Sequence, residues 1–395
     1  MKTLLYFFAF FLLVSCGQPF PKDTPATGSA TASGTTVSGA TGTDATHHKA
    51  DIRYAHGFSI EYYDHYKLVS VLNHMATTTD TLRYLLVPEG CPVPAGYPGI
   101  QVIHTPVRSI IAMSSMHIAL ADFAGVADRI TGLGSLAYVS SPEVRKNIKA
   151  GKVTAVGIDA GMNDELILTM HPGVLMSMGN PDAGFGRYKT LTDAGIPVLL
   201  NAEWLESTPL GRAEWVKLMG ALVDKEDLVN KKFDSIARAY SDLAQMGRRA
   251  TGKPHVIIDM PYKGSWFMPA GESYVAEFLR DAGAAYKWSD SHGVGSLALN
   301  FESVAPEALT AEYWLNVGDI NTKKEITDKD TRYGSFRSFR TGNVYNNNKM
   351  TNDQGSNDYW ESGAVNPQIV LADMIRIMHP DLLPGHQLVY YKQLP

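Results

Sequence analysis

The side chains able to do chemistry in this chain are the polar and aromatic residues that fall just after short apolar runs. In the first half these are Ser114, Ser115 and His117, then Tyr138, then Asp159 and Met162. In the second half they are Tyr262, Lys263 and Trp266, then Trp288, then Asn347, Asn348 and Trp360. Aromatic rings and amides supply broad contact area at low entropic cost, with polar tips that orient a partner. This is binding chemistry, and the signatures of catalysis fail beside it. Gly132-Leu133-Gly134-Ser135-Leu136-Ala137 matches a dinucleotide fingerprint as a string, but the next helix start is Ser141, too late for that use. Gly151-Lys152 is followed by Val153 and makes no phosphate loop, and there is no G-x-S-x-G elbow. Ser115 with His117 is the remaining nucleophile–base pair, and the expectation is a protein that is not an enzyme. His117 is also the one candidate axial ligand to a metal centre inside a bound molecule. With Asp159 it falls short of the three or more convergent donors that a bare zinc or manganese ion needs, so no metal site is assigned.

The elements that must position these residues follow from periodicity. Residues from Phe58 to His104 read as β-rich, with strands at Tyr66–Leu72, Leu82–Val87 and Ile100–His104. From Arg108 strands and helices alternate: strands at Ser109–Met113, Arg129–Leu133, Val153–Val156, Gly173–Met178 and Ile196–Leu200, with helices capped by Ser114 or Ser115 and by Ser141-Pro142-Glu143. Such alternation implies a parallel sheet covered on both faces. Residues 209–250 read as a helical connector, broken into two or three helices near Val223–Asp227. A second alternating series follows, with strands at His255–Asp259, Ala285–Trp288, Tyr313–Val317 and Asn343–Asn346. The fold class is therefore α/β: two α/β lobes joined by a long helical connector, a ligand cleft between them, and an N-terminal β-rich extension. The lobes are placed at 51–208 and 251–395. In open sheets of this kind ligands bind beyond the carboxyl ends of the strands.

Composition narrows the setting. Lys2 followed by the apolar run Leu4–Val14 is too short to span a bilayer and fits a secretory signal over residues 1–15. The run ends in Leu13-Val14-Ser15-Cys16, which resembles a bacterial lipobox and implies cleavage before Cys16 and lipid on its sulfur. The chain has two cysteines, so Cys91 is then left without a partner and no internal disulfide is expected. Residues 16–50, rich in Thr, Ser, Gly and Ala, read as a lipid-anchored flexible tether with a reach of roughly 30 Å. A formal net charge of −5 with scattered basic residues gives no electrostatic basis for nucleic-acid binding.

Two strings carry a resemblance to a known family. The first runs Val156-Gly157-Ile158-Asp159-Ala160-Gly161-Met162-Asn163-Asp164-Glu165 and continues to His171-Pro172-Gly173-Val174-Leu175. The second comprises Asn300-Phe301-Glu302-Ser303 and Arg340-Thr341-Gly342-Asn343-Val344-Tyr345. Together they resemble the siderophore, haem and vitamin B12 class of ABC-importer substrate-binding proteins over roughly residues 105–383. Asp164, His171 and Gly173 depart from the family pattern. Residues 346–363 lie outside it and resemble a subgroup feature of Bacteroidetes-like lipoproteins. The resemblance implies a lipoprotein on the periplasmic side of the cell envelope, monomeric, with no cofactor of its own. It would carry an iron chelate (siderophore or haem) or cobalamin in the interlobe cleft. Its partner would be an ABC permease and ATPase complex, docked through Glu165 and Glu302. The alternatives are a zinc- or manganese-binding protein of the same architecture and an outer-surface receptor accessory lipoprotein.

Overall fold

The computed structural model describes residues 49–73, 80–178 and 185–395. The signal and anchor readings, Cys16 included, lie outside these residues. The N-terminal extension is a four-stranded sheet in the order β1-β2-β3-β4: β1 (Phe58–Tyr62), β2 (Lys67–Asn73), β3 (Asp80–Pro88) and β4 (Gln101–Thr105). The first three strands pair antiparallel, and β4 pairs parallel to β3. Both faces are buried. Val69, Val71, Tyr84, Leu86 and Ile103 join the main core, while Leu68, Leu85 and Val87 pack under Tyr66, Tyr97 and Ile100.

The first lobe holds five parallel strands: β5 (Ile110–Ala112), β6 (Ile130–Leu133), β7 (Thr154–Ala155), β8 (Val174–Ser177) and β9 (Val198–Leu200). Their order is β7-β6-β5-β8-β9. The chain thus starts at the centre, winds to one edge, and returns to wind to the other. The order reverses between β5 and β8, which is the position at which open sheets of this kind place ligands. The helix starts are those the sequence predicts. Ser114 caps Ser115–Phe123, and Ser141 caps Pro142–Lys149 through its hydroxyl and the Val144 N–H at 3.3 Å.

Three helices form the connector: Pro209–Glu214, Val216–Val223 and Glu226–Arg248. The break falls at Asp224, which takes a left-handed conformation (φ 55°), inside the predicted junction. The last helix buries Val229, Phe233, Ala237, Tyr240, Ala244 and Gly247, a three-to-four spacing that makes one continuous stripe. At its end Gly247 lies against the backbone of the next lobe. A Cβ there would stand 2.2 Å from the Asp281 carbonyl oxygen, so no larger residue fits.

In the second lobe the strands are β10 (Val256–Ile258), β11 (Trp266–Pro269), β12 (Ser296–Leu299), β13 (Tyr313–Leu315), β14 (Val344–Asn346) and β15 (Lys392–Gln393). The sheet runs β10-β13-β14-β15, parallel except for its last strand, and β11 and β12 form a separate antiparallel pair. The predicted strand at Ala285–Trp288 is reduced to a single parallel bridge between Ala285 and His255. The chain turns away there because the Tyr286 hydroxyl donates to the Pro269 carbonyl (2.7 Å) and Trp288 packs edge-on against Tyr286.

Irregular segments are held by buried carboxylates. Glu214 accepts from the backbone N–H groups of Arg53, Tyr54 and Ala55 and from the Lys217 ammonium (2.7 Å). Glu206 accepts from His56 and Gly57 and from the Trp215 indole. Asp373 accepts from Val389, Tyr390 and Tyr391. E214A strands both a buried ammonium and three N–H groups, and is expected to lower the unfolding free energy by about 3–5 kcal/mol. D193A, which breaks the exposed Lys189–Asp193 pair, is expected to change it by about 0–1 kcal/mol. Denaturant titration of both variants checks this contrast.

Candidate functional site: the strand ends

In each lobe the loops after the parallel strands carry large apolar side chains that remain in water. In the first lobe Tyr138, after β6, is 64% exposed. Ile158, after β7, and Met178, after β8, are exposed with it. In the second lobe Tyr262, beyond β10, is 63% exposed and Trp360, beyond β14, 47%. Exposed apolar side chains at strand ends are candidates for ligand contact.

The backbone near Tyr262 is sharply turned. Asp259 and Asn316 follow β10 and β13 directly, and both are left-handed, with φ of 60° and 59°. Their N–H groups donate across to the next strands, Asp259 to Leu315 (2.9 Å) and Asn316 to Tyr345 (3.1 Å), so the residues stand side by side at the sheet edge. Short polar side chains tolerate this conformation best. Burial pushes the Asp259 carboxyl up to about 7. Lys263, also left-handed (φ 51°), sits in the tight turn Tyr262–Ser265 with its ammonium 5.0 Å from the Tyr262 ring centre. Asn346 ends β14, and its amide donates to the carbonyls of Gly318 (2.7 Å) and Ile320 (2.8 Å), which fixes the loop after β13.

The residues singled out from the sequence divide into two groups. Tyr138, Tyr262, Lys263 and Trp360 are exposed at the strand ends, and Ser115 and Trp288 are half-buried there. The Ser115 hydroxyl donates to the Trp360 carbonyl at 3.4 Å, a bond from one lobe to the other. Asp159 opens a short 3-10 turn, Asp159–Gly161, after β7. His117, Met162, Trp266 and Asn347 are a correction, because all four are buried side chains. His117 lies on the inner face of its helix, and neither ring nitrogen has a hydrogen-bond partner, so it presents no ligand atom at the surface. Met162 joins Val156, Ile167 and Leu175 in a small core. Trp266 donates from its indole to the Ile258 carbonyl (2.9 Å) and packs with Trp314 and Phe336. Asn347 is covered at the end of β14. Each sits beside a strand end, which spacing reports, but points inward, which spacing does not.

Glu165 and Glu302 occupy matched positions. Asn163 caps the helix Asp164–Met170 and Asn300 caps Phe301–Ala308, each accepting from the N–H three residues on, at 3.0 and 2.8 Å. In both lobes the exposed glutamate is the second helical residue. Among the described residues, no group of three or more His, Cys, Asp or Glu side chains is placed to hold a metal ion, and no helix is long and apolar enough to cross a membrane.

Sequence reasoning missed Asp259, Asn316 and Glu361. Glu361 is buried, and its carboxylate reaches the other lobe, accepting from Ser140 N–H (2.9 Å) and Ser141 N–H (2.6 Å). Burial pushes its carboxyl up to about 7, against the pull of those two donors. In the sequence Glu361 follows the aromatic pair Tyr359-Trp360, a string with no geometric meaning by itself.

No family model matches the chain. A lipoprotein of Methanocaldococcus jannaschii, itself uncharacterised, is 26% identical over 325 residues, covering 78% of this chain and 75% of that protein. A second from the same organism is 23% identical over 306 residues, covering 74% and 75%. Among solved structures, a possible iron-binding (periplasmic solute-binding) protein from Staphylococcus epidermidis aligns with a TM-score of 0.54 at 14% identity. It covers 70% of this chain and 100% of that one. A periplasmic binding protein from Veillonella parvula gives 0.55 at 12% identity, covering 82% and 98%. The periplasmic haem-binding protein HutB of Vibrio cholerae gives 0.52 at 14%, covering 67% and 98%. At these identities the likeness establishes the fold, which is the two-lobe fold of periplasmic binding proteins.

The burial of His117 has a consequence in acid. Desolvation lowers its imidazole from 6.5 to about 3, so the folded protein binds this proton less readily than the unfolded chain. Stability is then full above about 6.5 and falls by about 1.4 kcal/mol for each pH unit below it, down to the folded value. H117L is expected to remove that component. Its unfolding free energy should decline less steeply than wild type between about pH 6 and 4, as read from denaturant titrations at each pH.

Proposed function

We propose that this protein is a lipid-anchored substrate-binding protein of an ABC importer. It holds an iron chelate, either siderophore or haem, or cobalamin between its lobes and delivers it to the permease. The observation that carries the reading is the pair of exposed apolar surfaces at the strand ends, Tyr138, Ile158 and Met178 on one lobe and Tyr262 and Trp360 on the other. A macrocycle or chelate offers the broad apolar faces that such rings and side chains cover. Ser115, Lys263 and Trp288 lie near the same strand ends and would supply polar contacts and one cation. The fold supports the reading, since solved structures that share it include a periplasmic haem-binding protein and a possible iron-binding one. The lipoprotein relatives support Cys16 as the anchor, and the periplasmic proteins that share the fold support a place on the periplasmic side of the envelope.

The matched glutamates fit permease docking. A carboxylate held on the first turn of a capped helix in each lobe gives two fixed negative points, which steer approach and set register on a basic surface. Glu302 lies 4.0 Å from Arg332, whose guanidinium also pairs with Asp330, so its charge is only partly offset.

Native mass spectrometry of the body from residue 49 onward, mixed with haemin, hydroxocobalamin and a panel of ferric siderophores, tests the reading. One of these is expected to bind one-to-one below about micromolar, equivalent to about 8 kcal/mol, and to quench tryptophan emission through Trp360. Failure of the whole panel would reject the ligand class. The double variant E165R/E302R is expected to keep ligand affinity within about twofold while uptake in cells falls to background. Loss of affinity itself would count against the docking role.

A further inference from the structure

The segment that leaves β14 does not stay with its own lobe. Residues 347–361 cross to the first lobe and return to the helix Ser362–Val365; besides the bond from Ser115 to the Trp360 carbonyl, their polar contacts with that lobe gather on residues 139–145. Asn352 organises the far end: its Oδ1 accepts from Gln354 N–H (2.9 Å) and Ser356 N–H (3.0 Å), while its Nδ2 donates to the Val139 carbonyl (2.8 Å) across the gap. The Ser356 and Ser140 hydroxyls meet at 3.0 Å. Arg145 pairs with Asp353 at 2.6 Å. The buried Glu361 carboxylate accepts from the consecutive N–H groups of Ser140 and Ser141, at the amino end of the helix Pro142–Lys149. At its near end the segment is tied to its own lobe, since Lys349 N–H donates to Tyr390 O (3.0 Å) and Ser362 Oγ lies 2.9 Å from Tyr390 Oη.

We propose that residues 347–361 are a strap that fastens the second lobe to the loop Val139–Ser141 of the first and holds the two at a fixed separation, so that hinge opening requires the strap to detach. The geometry gives the strap a definite fastening. A buried carboxylate with two backbone donors at a helix amino end is a strong, directional contact, and separating the lobes strands all three groups. The outlying Arg145–Asp353 pair is exposed on the aspartate side and adds little. The strap is a tie additional to the connector and lies beside it, since the helix Ser362–Val365 that ends it packs on the connector helix Pro209–Glu214. A molecule tied in this way admits and releases its guest with the lobes nearly fixed, and an external partner has to unfasten Glu361 to spread them.

Hydrogen–deuterium exchange and a distance measurement on the full chain in detergent micelles test the strap without any ligand. Spin labels are placed on the exposed positions of each lobe by Lys152→Cys and Lys324→Cys in a Cys91→Ser background. The unsubstituted strap is expected to give one narrow distance distribution and slow exchange at Ser140 and Ser141. Glu361→Ala should speed exchange there at least tenfold and extend the distribution to longer distances, while β8 changes less than twofold. Glu361→Gln, which keeps an acceptor oxygen, should fall between. Asn352→Ala removes a crossing bond without touching the buried carboxylate, and is expected to speed exchange at Val139–Ser141 severalfold; it decides the matter should Glu361→Ala fail to fold. The strap is overturned by unchanged exchange, within twofold, in the variants that fold. It is equally overturned by faster exchange with an unchanged distance distribution, which would mean local fraying only.

Discussion

The structure depends on buried carboxylates that collect backbone N–H groups from chain segments with no sheet or helix to satisfy them. A buried N–H without a partner and a buried carboxylate without donors are each costly, and placing them together removes both penalties. Glu206 and Glu214 do this for residues 53–57, Asp373 for residues 389–391, and Glu361 for Ser140 and Ser141. The result is that residues 53–57, residues 389–391 and the crossing between lobes are all pinned to helices or helix ends. Among the described residues there is no disulfide, and these carboxylates fix segments that lie outside sheets and helices.

That pinning leaves the strand ends free for another use. The strands of both sheets are short, and their carboxyl ends open into loops rather than continuing into long helices at once. Left-handed residues at Asp259 and Asn316 turn the chain sharply enough for side chains such as Tyr262 to project. The apolar surface so exposed would be a liability in an isolated domain. In a pair of lobes whose separation is set by a connector and a crossing segment, it becomes a surface of fixed shape. A rigid surface loses less conformational entropy on binding than one that must first be organised.

The buried polar groups divide by role. Glu214 with Lys217 is a closed pair within the connector, satisfied by local and distant partners alike. Glu361 is different, because its donors belong to the other lobe and its surroundings include Asp358 and Asp122. Like-charged neighbours and burial both disfavour its ionised form, while Ser140 and Ser141 favour it. The ionisation of Glu361 is therefore balanced near neutral pH.

The amino-acid sequence by itself determined the class of fold. Strand–helix alternation, the caps at Ser114 and Ser141, and the break near Asp224 are local signals, because apolar period and cap chemistry act over a few residues. It also located the strand ends, and through them Tyr138, Tyr262 and Trp360. Tertiary structure decided which neighbours of those residues face outward. His117, Met162 and Trp266 occupy the same stretches of sequence, yet packing turns them inward, since a side chain's direction depends on what lies across from it. The paired β11 and β12, the loss of the strand at Ala285–Trp288, and the reach of Glu361 to Ser140 were likewise settled only in three dimensions. Each rests on contact between residues far apart in the chain, and no local pattern encodes which distant partner a buried carboxylate will find.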